Sequence, residues 1–244
     1  MFNYYGGKSK LAHLYPYPRY KKVIEPFAGS ARYSLQYWTK EIQLYDKSEE
    51  VINIWNYLQN VTEEELQALY IPKKGEDIRE LPYTNMERLL LSYMVSVPAT
   101  KSYKVSLFGE QNLQSFHKLI SNIHKCRSWS IQHGDYRDIP NEEATWFIDP
   151  PYLYGGEHYK HSSKHIDYQE LAEWCQTRKG QVIVCENTKA NWLDFKPLVE
   201  FKGAMHTTTE AIWTNYPTSY GINQLTLEDE IKSILSDNDR RRTR

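Results

Sequence analysis

This sequence is sparing with cysteine and glycine and nearly balanced in charge, and each shortage excludes something. Its three cysteines, Cys126, Cys175 and Cys185, are odd in number and show no Cys-x-x-Cys spacing. That fits a reducing compartment and packing roles, with neither a disulfide framework nor a zinc site. No stretch approaches the roughly 18 apolar residues of a membrane span, and Met1-Phe2-Asn3-Tyr4-Tyr5-Gly6-Gly7-Lys8 has no apolar signal core. The expectation is a cytoplasmic protein without a membrane partner. Formal net charge is -1, so no global field draws the chain onto nucleic acid and any such affinity must come from local patches. With 11 glycines there is no G-x-G-x-x-G fingerprint. Gly7-Lys8-Ser9 is not a phosphate loop either, because Phe2 stands where that pattern needs glycine. A backbone-lined turn with a cation, suited to a carboxylate or phosphate, survives there beside the plainer reading of a glycine turn before a helix.

Aromatics are plentiful: 20 Tyr and 7 Trp within a 40% hydrophobic chain of 244 residues, enough for one large domain or a core with a small insert. The organising stretch is Thr145-Trp146-Phe147-Ile148-Asp149-Pro150-Pro151-Tyr152. Trp146, Phe147 and Ile148 form a short β-prone run, and the prolines permit neither helix nor further ladder pairing, so a buried strand stops at Asp149. In open α/β sheets ligands bind beyond the carboxyl ends of the strands, which makes Asp149 a candidate by position. Proline has no N–H, so the acid and the flanking carbonyls form an acceptor cluster beside one flat ring. Such a cluster suits the exocyclic amine of a nucleobase stacked on Tyr152, with one hydrogen on Asp149 and the other on the Pro150 carbonyl. The bland alternative is a strand end closed by a proline turn.

Lys22-Val23-Ile24-Glu25-Pro26-Phe27-Ala28-Gly29-Ser30-Ala31 reads as strand, tight turn and helix, the helix running from about 30 to 38. Gly29 lets a ligand approach the backbone and Ser30 can cap the helix. A second strand over 42–46 ends at Asp46, 17 positions after Gly29, near the spacing of about 20 at which a Rossmann-type acid holds ribose hydroxyls. Asp46 serves equally well as the cap of the next helix, 48–58, with its Val51, Ile52, Trp55 and Leu58 stripe.

From 60 to 127 the α/β rhythm is interrupted. Helical patterns at 62–70, 85–97 and 111–125 alternate with basic, turn-rich segments at 71–75 and 99–105. The expectation is a substrate-recognition insert with Lys101 and Lys104 on phosphates, although solvated loops look the same. A short strand from Trp129 leads to Gly134-Asp135-Tyr136. Asp135, a second rim acid beside an aromatic, could hold an adenine edge or simply cap the turn. Residues 154–165 read as a Gly-hinged lid offering Tyr154 to substrate. Its His158, His161 and His165 lack ligand spacing, so no metal is expected. Asp167 and Glu170 form a capping box for a helix stopped by Gly180, a strand follows over 181–187, and 198–201 with 208–216 make an antiparallel pair. A helix over 228–235 and a charged tail, 237–244, end the chain.

Tyr5-Gly6-Gly7-Lys8, Pro26-Phe27-Ala28-Gly29-Ser30, Asp46, Gly134-Asp135-Tyr136 and Asp149-Pro150-Pro151-Tyr152 together resemble the ordered motifs of the Dam-type DNA adenine N6-methyltransferases. The resemblance covers most of the chain outside the insert. It implies an α/β fold: a Rossmann-like, seven-stranded methyltransferase core over 1–59 and 128–236, binding S-adenosylmethionine, with 60–127 as a mainly helical target-recognition insert on double-stranded DNA. It also implies that Tyr5, Gly6, Gly7 and Lys8 with Phe27, Ala28, Gly29 and Ser30 surround the methionine part of the cofactor. Asp46 then takes the ribose, Asp135 with Tyr136 the adenine, and Asp149, Pro150 and Tyr152 the target amine. Ala31 stands where relatives often carry glycine. Methyltransferases of cytosine, RNA or protein glutamine usually carry Ser or Asn in place of the acid, so Asp149 favours adenine. A non-catalytic nucleic-acid-binding subunit is the reading from another class, and intact Asp149 and Tyr152 argue against it.

Overall fold

Seven β-prone runs assemble into one sheet. The computed structural model describes residues 2, 4, 11–96, 101–155, 163–202 and 207–216; the expectations placed on 5–8, on most of the lid at 156–162 and on the helix and tail beyond 216 lie outside them. The strands are β1 (Lys22–Glu25), β2 (Glu41–Asp46), β3 (Ser130–His133), β4 (Ala144–Ile148), β5 (Gly180–Asn187), β6 (Lys196–Lys202) and β7 (Thr207–Thr214). Their order is β3-β2-β1-β4-β5-β7-β6. The first five are parallel and β7 is antiparallel to both β5 and β6. This is the seven-stranded α/β architecture expected.

Around the sheet lie α1 (Arg32–Gln36), α2 (Glu49–Asn60), α3 (Glu63–Gln67), α4 (Asn85–Met94), α5 (Leu107–Leu113), α6 (Phe116–Ile120) and α7 (Tyr168–Gln176). A core fills each face. Val23, Phe147 and Ile183 point into one with Tyr33, Trp55 and Leu90, whereas Ile24, Trp146, Ile148 and Val182 point into the other with Leu171 and Trp174. Two-sided burial explains why the run before Asp149 is continuously apolar, as in parallel sheets covered on both faces. The insert leaves α2, passes through α3 to α6 and returns to the edge strand β3. Its Leu66, Ile78, Leu90 and Leu119 join the same apolar cluster as Trp55 and Leu44. No helix among the described residues is long and apolar enough to cross a membrane.

Several expected boundaries move. The pattern at 111–125 breaks into α5, α6 and a 3-10 turn, Ile123–Cys126. Here Ser115 Oγ and Asn122 Nδ2 donate to the carbonyls of Asn112 and Lys118, and such side-chain bonds compete with a continuous helix. The first helix begins at Arg32 rather than Ser30, and Ser30 does not cap it. At Asp167 half of the capping box forms, since its carboxylate accepts from Gln169 and Glu170 N–H groups. Gly180 is no helix stop: α7 ends at Gln176, and Gly180 opens β5 with φ 96°. A Cβ there would lie 2.2 Å from the Ala144 carbonyl oxygen, so glycine lets β4 and β5 pair. Gly180→Ala is expected to cost more than about 2 kcal/mol, read as a lowered midpoint in denaturant melts; an unchanged midpoint would refute this account of β4–β5 pairing.

Candidate active site

In the order β2-β1-β4-β5 the chain winds one way from β1 and the other from β4, so the crevice beyond their carboxyl ends is the topological switch point where such sheets bind ligands. Glu25 ends β1 and Asp149 follows β4, one on each side of it. A cleft opens there, lined by Glu25, Phe27, Gly29, Asp46, Asp135 and Asp149 among others. Four adjacent strands, β3, β2, β1 and β4, thus each deliver a carboxyl group to one rim. Arg32, Lys47 and Arg137 line the same cleft, and Lys47 and Arg137 pair with Asp135, so the rim offers a ligand both carboxyl and cationic groups.

The loop after β1 is held from several directions. Gly29 N–H donates to Asp46 Oδ2 at 2.9 Å, and its carbonyl accepts the Trp55 indole N–H at 2.8 Å. Its φ is 46° and an added Cβ would sit 2.9 Å from the Tyr4 ring; both facts require glycine. Ala31 is also left-handed at φ 45°, the one such non-glycine among the described residues, so the residue that departs from the resembled pattern carries backbone strain at the cleft. The first N–H groups of any helix lack an intrahelical acceptor, and the N-cap residue Ala31 has no side chain to supply one. Glu25, 2% exposed, accepts from Ser34 N–H at 2.7 Å and caps α1 from the strand end. Sequence reasoning missed Glu25. The acid before Pro26 was the available signal, hidden by reading it as the tail of a strand.

Asp46 is not the cap of α2, whose N-cap position belongs to Ser48. Its carboxylate accepts from Ser48 N–H at 2.8 Å as well as from Gly29, and burial raises its pKa to about 6 against those bonds. Asp135 caps the turn Tyr136–Asp138 and is saturated: Arg137 N–H, Nε and NH2 and the Lys47 ammonium supply four donors, as many as a carboxylate has acceptor positions. The Arg137 bonds hold it well below the usual carboxylate range. An adenine amine would reach Asp135 only by displacing one of these donors, most readily the exposed Lys47. Tyr136 is buried against Phe27, ring centroids 5.5 Å apart, and both line the cleft with Ala28 and Ser30.

Asp149 and Pro151 line the cleft, whereas Pro150 is buried and Tyr152, partly exposed, lies beside the cleft rather than in its wall. Tyr154 is 54% exposed and its carbonyl accepts from Asn187 Nδ2 at 3.2 Å. In the insert, Lys101 is engaged by Glu50 at 2.7 Å, while Lys104 is exposed. The structure also unites two basic segments that were separate in sequence. Gly75 N–H donates to the Val105 carbonyl and Val105 N–H to that of Glu76, each at 2.9 Å. Tyr70, Ile71, Leu107 and Phe108 on these segments are four of the six most exposed large apolar side chains described. The same two segments carry exposed Lys73, Lys74 and Lys104 together with acids: Glu76 accepts from the Tyr70 hydroxyl and Lys73 N–H, Glu110 from Lys74 N–H, and Asp77 pairs with Arg79 and lies across an isolated bridge from Lys104.

No family model and no characterised protein sequence matches this chain. Among solved structures it is similar to the methyltransferase candidate yhhF from Escherichia coli, at 9% identity and a TM-score of 0.34, over 78% of this chain and 74% of that one. It is likewise similar to the rRNA methyltransferase aviRa from Streptomyces viridochromogenes, at 13% identity and a TM-score of 0.33, over 78% and 76%. Likenesses this shallow carry no argument about activity, which rests on the site.

Burial, with a smaller contribution from Asp149, raises the Glu25 carboxyl from 4.5 to about 8, against the Ser34 bond. The unfolded chain therefore releases this proton at lower pH than the folded protein, and stability falls as pH rises between those values. Asp46 adds the same sign up to about 6. Glu25→Gln keeps an acceptor for Ser34 and has no proton to lose. It is expected to flatten the decline in melting temperature between pH 5 and pH 8.5, and an equally steep decline in the variant would refute the assignment.

Proposed function

We propose that this protein is a DNA methyltransferase that transfers a methyl group from S-adenosylmethionine to the N6 amine of adenine. The observation that carries the reading is Asp149 with its Pro-Pro-Tyr sequence at the end of β4, on the rim of a switch-point cleft that is acidic on four strand ends. The residues fit the cofactor. Sulfonium and ammonium groups are both cationic and suit carboxyl groups at the strand ends; Asp46 is the candidate for ribose hydroxyls, and Phe27 with Tyr136 offers flat apolar surface for adenine. When bound, S-adenosylmethionine supplies a methyl group on positively charged sulfur.

The protein's own work is orientation. Asp149 accepts one hydrogen of the target amine and the Pro150 carbonyl accepts the other, drawing the nitrogen toward tetrahedral geometry with its lone pair facing the cleft. Tyr152 stacks on the base, which must leave the duplex to reach the rim. Catalysis then comes from positioning and preorganised acceptors. The patch of Lys73, Lys74 and Lys104 around Phe108 supports a duplex partner: cations for phosphates and an apolar side chain able to wedge between base steps. Lys101, bound to Glu50, is less suited to phosphate contact than Lys104.

Expressed in a methylation-free host, the protein is expected to leave N6-methyladenine at a defined DNA motif. Asp149→Ala should lower transfer by more than about 100-fold while cofactor affinity, read by calorimetry, stays within a few-fold. Unmodified DNA beside normal cofactor binding would instead point to another amine substrate. Replacing Lys73, Lys74 and Lys104 together by Ala should weaken DNA binding and reduce the slope of log affinity against log salt by about 2.7, at roughly 0.9 per phosphate contact. An unchanged slope would remove the patch from the interface.

A further inference from the structure

Glu210 lies in the middle of β7, opposite Asn187 of β5, and is 2% exposed. A buried carboxylate must be paired or hydrogen-bonded, and two phenols meet that need. Tyr15 donates to Glu210 Oε1 at 2.8 Å, and the Tyr152 hydroxyl donates to the same oxygen. Tyr15 is wholly buried, edge-on to Phe147 with centroids 5.0 Å apart. Tyr152 is the unusual partner, because it is partly exposed beside the cleft while its hydroxyl turns inward to Glu210. Burial first, and then the charge of Asp149, push that hydroxyl well above its ordinary pKa, so it remains a donor.

The segment around Tyr152 is tied at each neighbour. The Pro151 carbonyl accepts the Tyr168 hydroxyl, and Leu153 N–H donates to Glu186 Oε1 at 3.1 Å. With its backbone pinned, the Tyr152 ring keeps only its two side-chain dihedrals, and a bond from the hydroxyl fixes both. We propose that Glu210 is a positioning residue: by holding the Tyr152 hydroxyl it sets the plane on which the target base stacks beside Asp149. This rests on the methyltransferase reading. A polar strand residue that would otherwise only burden the core thereby gains a role 58 positions away in sequence.

The test uses Glu210→Leu, Glu210→Gln and Tyr152→Phe in the full chain. Glu210→Leu is expected to lower kcat about 10- to 100-fold, the scale of a misplaced reacting group, with cofactor affinity unchanged. Glu210→Gln should restore most of it, because an amide oxygen can accept both phenols. In the Tyr152→Phe background, Glu210→Leu should lower kcat by clearly less than in the wild type, since only the Tyr15 bond is left to lose. With ring-labelled tyrosine, the Tyr152 signal, identified by its loss in Tyr152→Phe, should show faster ring flipping in Glu210→Leu. Folded Glu210→Leu protein with undiminished kcat or unaltered flipping would overturn the proposal, as would an equal loss in the Tyr152→Phe background, which is the mark of a purely structural role. If the wild-type protein methylates no nucleic acid, the functional reading fails instead, and the flipping comparison alone decides whether Glu210 holds Tyr152.

Discussion

Glu25 is the constraint on which the cleft depends. Its carboxyl stands at the end of β1, where the winding of the sheet reverses, and accepts the N–H of Ser34 in the first turn of α1. Without that acceptor the left-handed Ala31 would leave the first turn of the helix unsatisfied inside the protein. With it, the loop at 26–31 is closed from both ends and fastened by Asp46 to Gly29 N–H and by Trp55 to the Gly29 carbonyl. Each bond is worth about 1 kcal/mol net, too little singly to force two positive φ values. Strand end, turn and helix start persist because they are fixed together.

The same acid makes the site costly. Burying Glu25 disfavours its charged form, and Asp149 across the crevice adds to this. Asp46 is similarly burdened. Strained backbone and frustrated carboxyl groups collect at one rim while the rest of the sheet is apolar on both faces, which is the distribution expected when a fold concedes stability to a ligand site. A cation bound there would favour the charged forms of both acids, so the burial that raises their pKa also favours a positively charged ligand.

What could be read from sequence was local. The apolar run ending at Asp149, the tight turn at Gly29 and the acid closing the second strand each declare themselves within ten residues, and all three stand at the cleft. Pairings between distant segments could not be read. Tyr152 meets Glu210, Glu25 meets the charge of Asp149, and the segments around Lys74 and Lys104 join only through the folded insert. Helix ends failed for a related reason. Ser30 looked like a cap because it is the right residue in the right place, but a left-handed neighbour and a buried acid took over. Gly180 looked like a stop because its other use, making room for the Ala144 carbonyl, involves a strand 36 residues back.

The near-zero net charge, which argued mildly against a nucleic-acid partner, takes a different meaning once the charges are placed. Lys73, Lys74 and Lys104 stand on the insert beside Glu76, Asp77 and Glu110, whose carboxylates keep their charge when they accept backbone or phenol hydrogen bonds, and the cleft mixes Asp46, Asp135 and Asp149 with Arg32, Lys47 and Arg137. Each surface thus carries both signs at short range. On the proposed reading the phosphates meet the insert lysines one by one, while the target amine, an uncharged donor, needs only the carboxylate and carbonyl acceptors that follow β4. A base reaches them once removed from its stack, and neither contact requires a net charge on the chain.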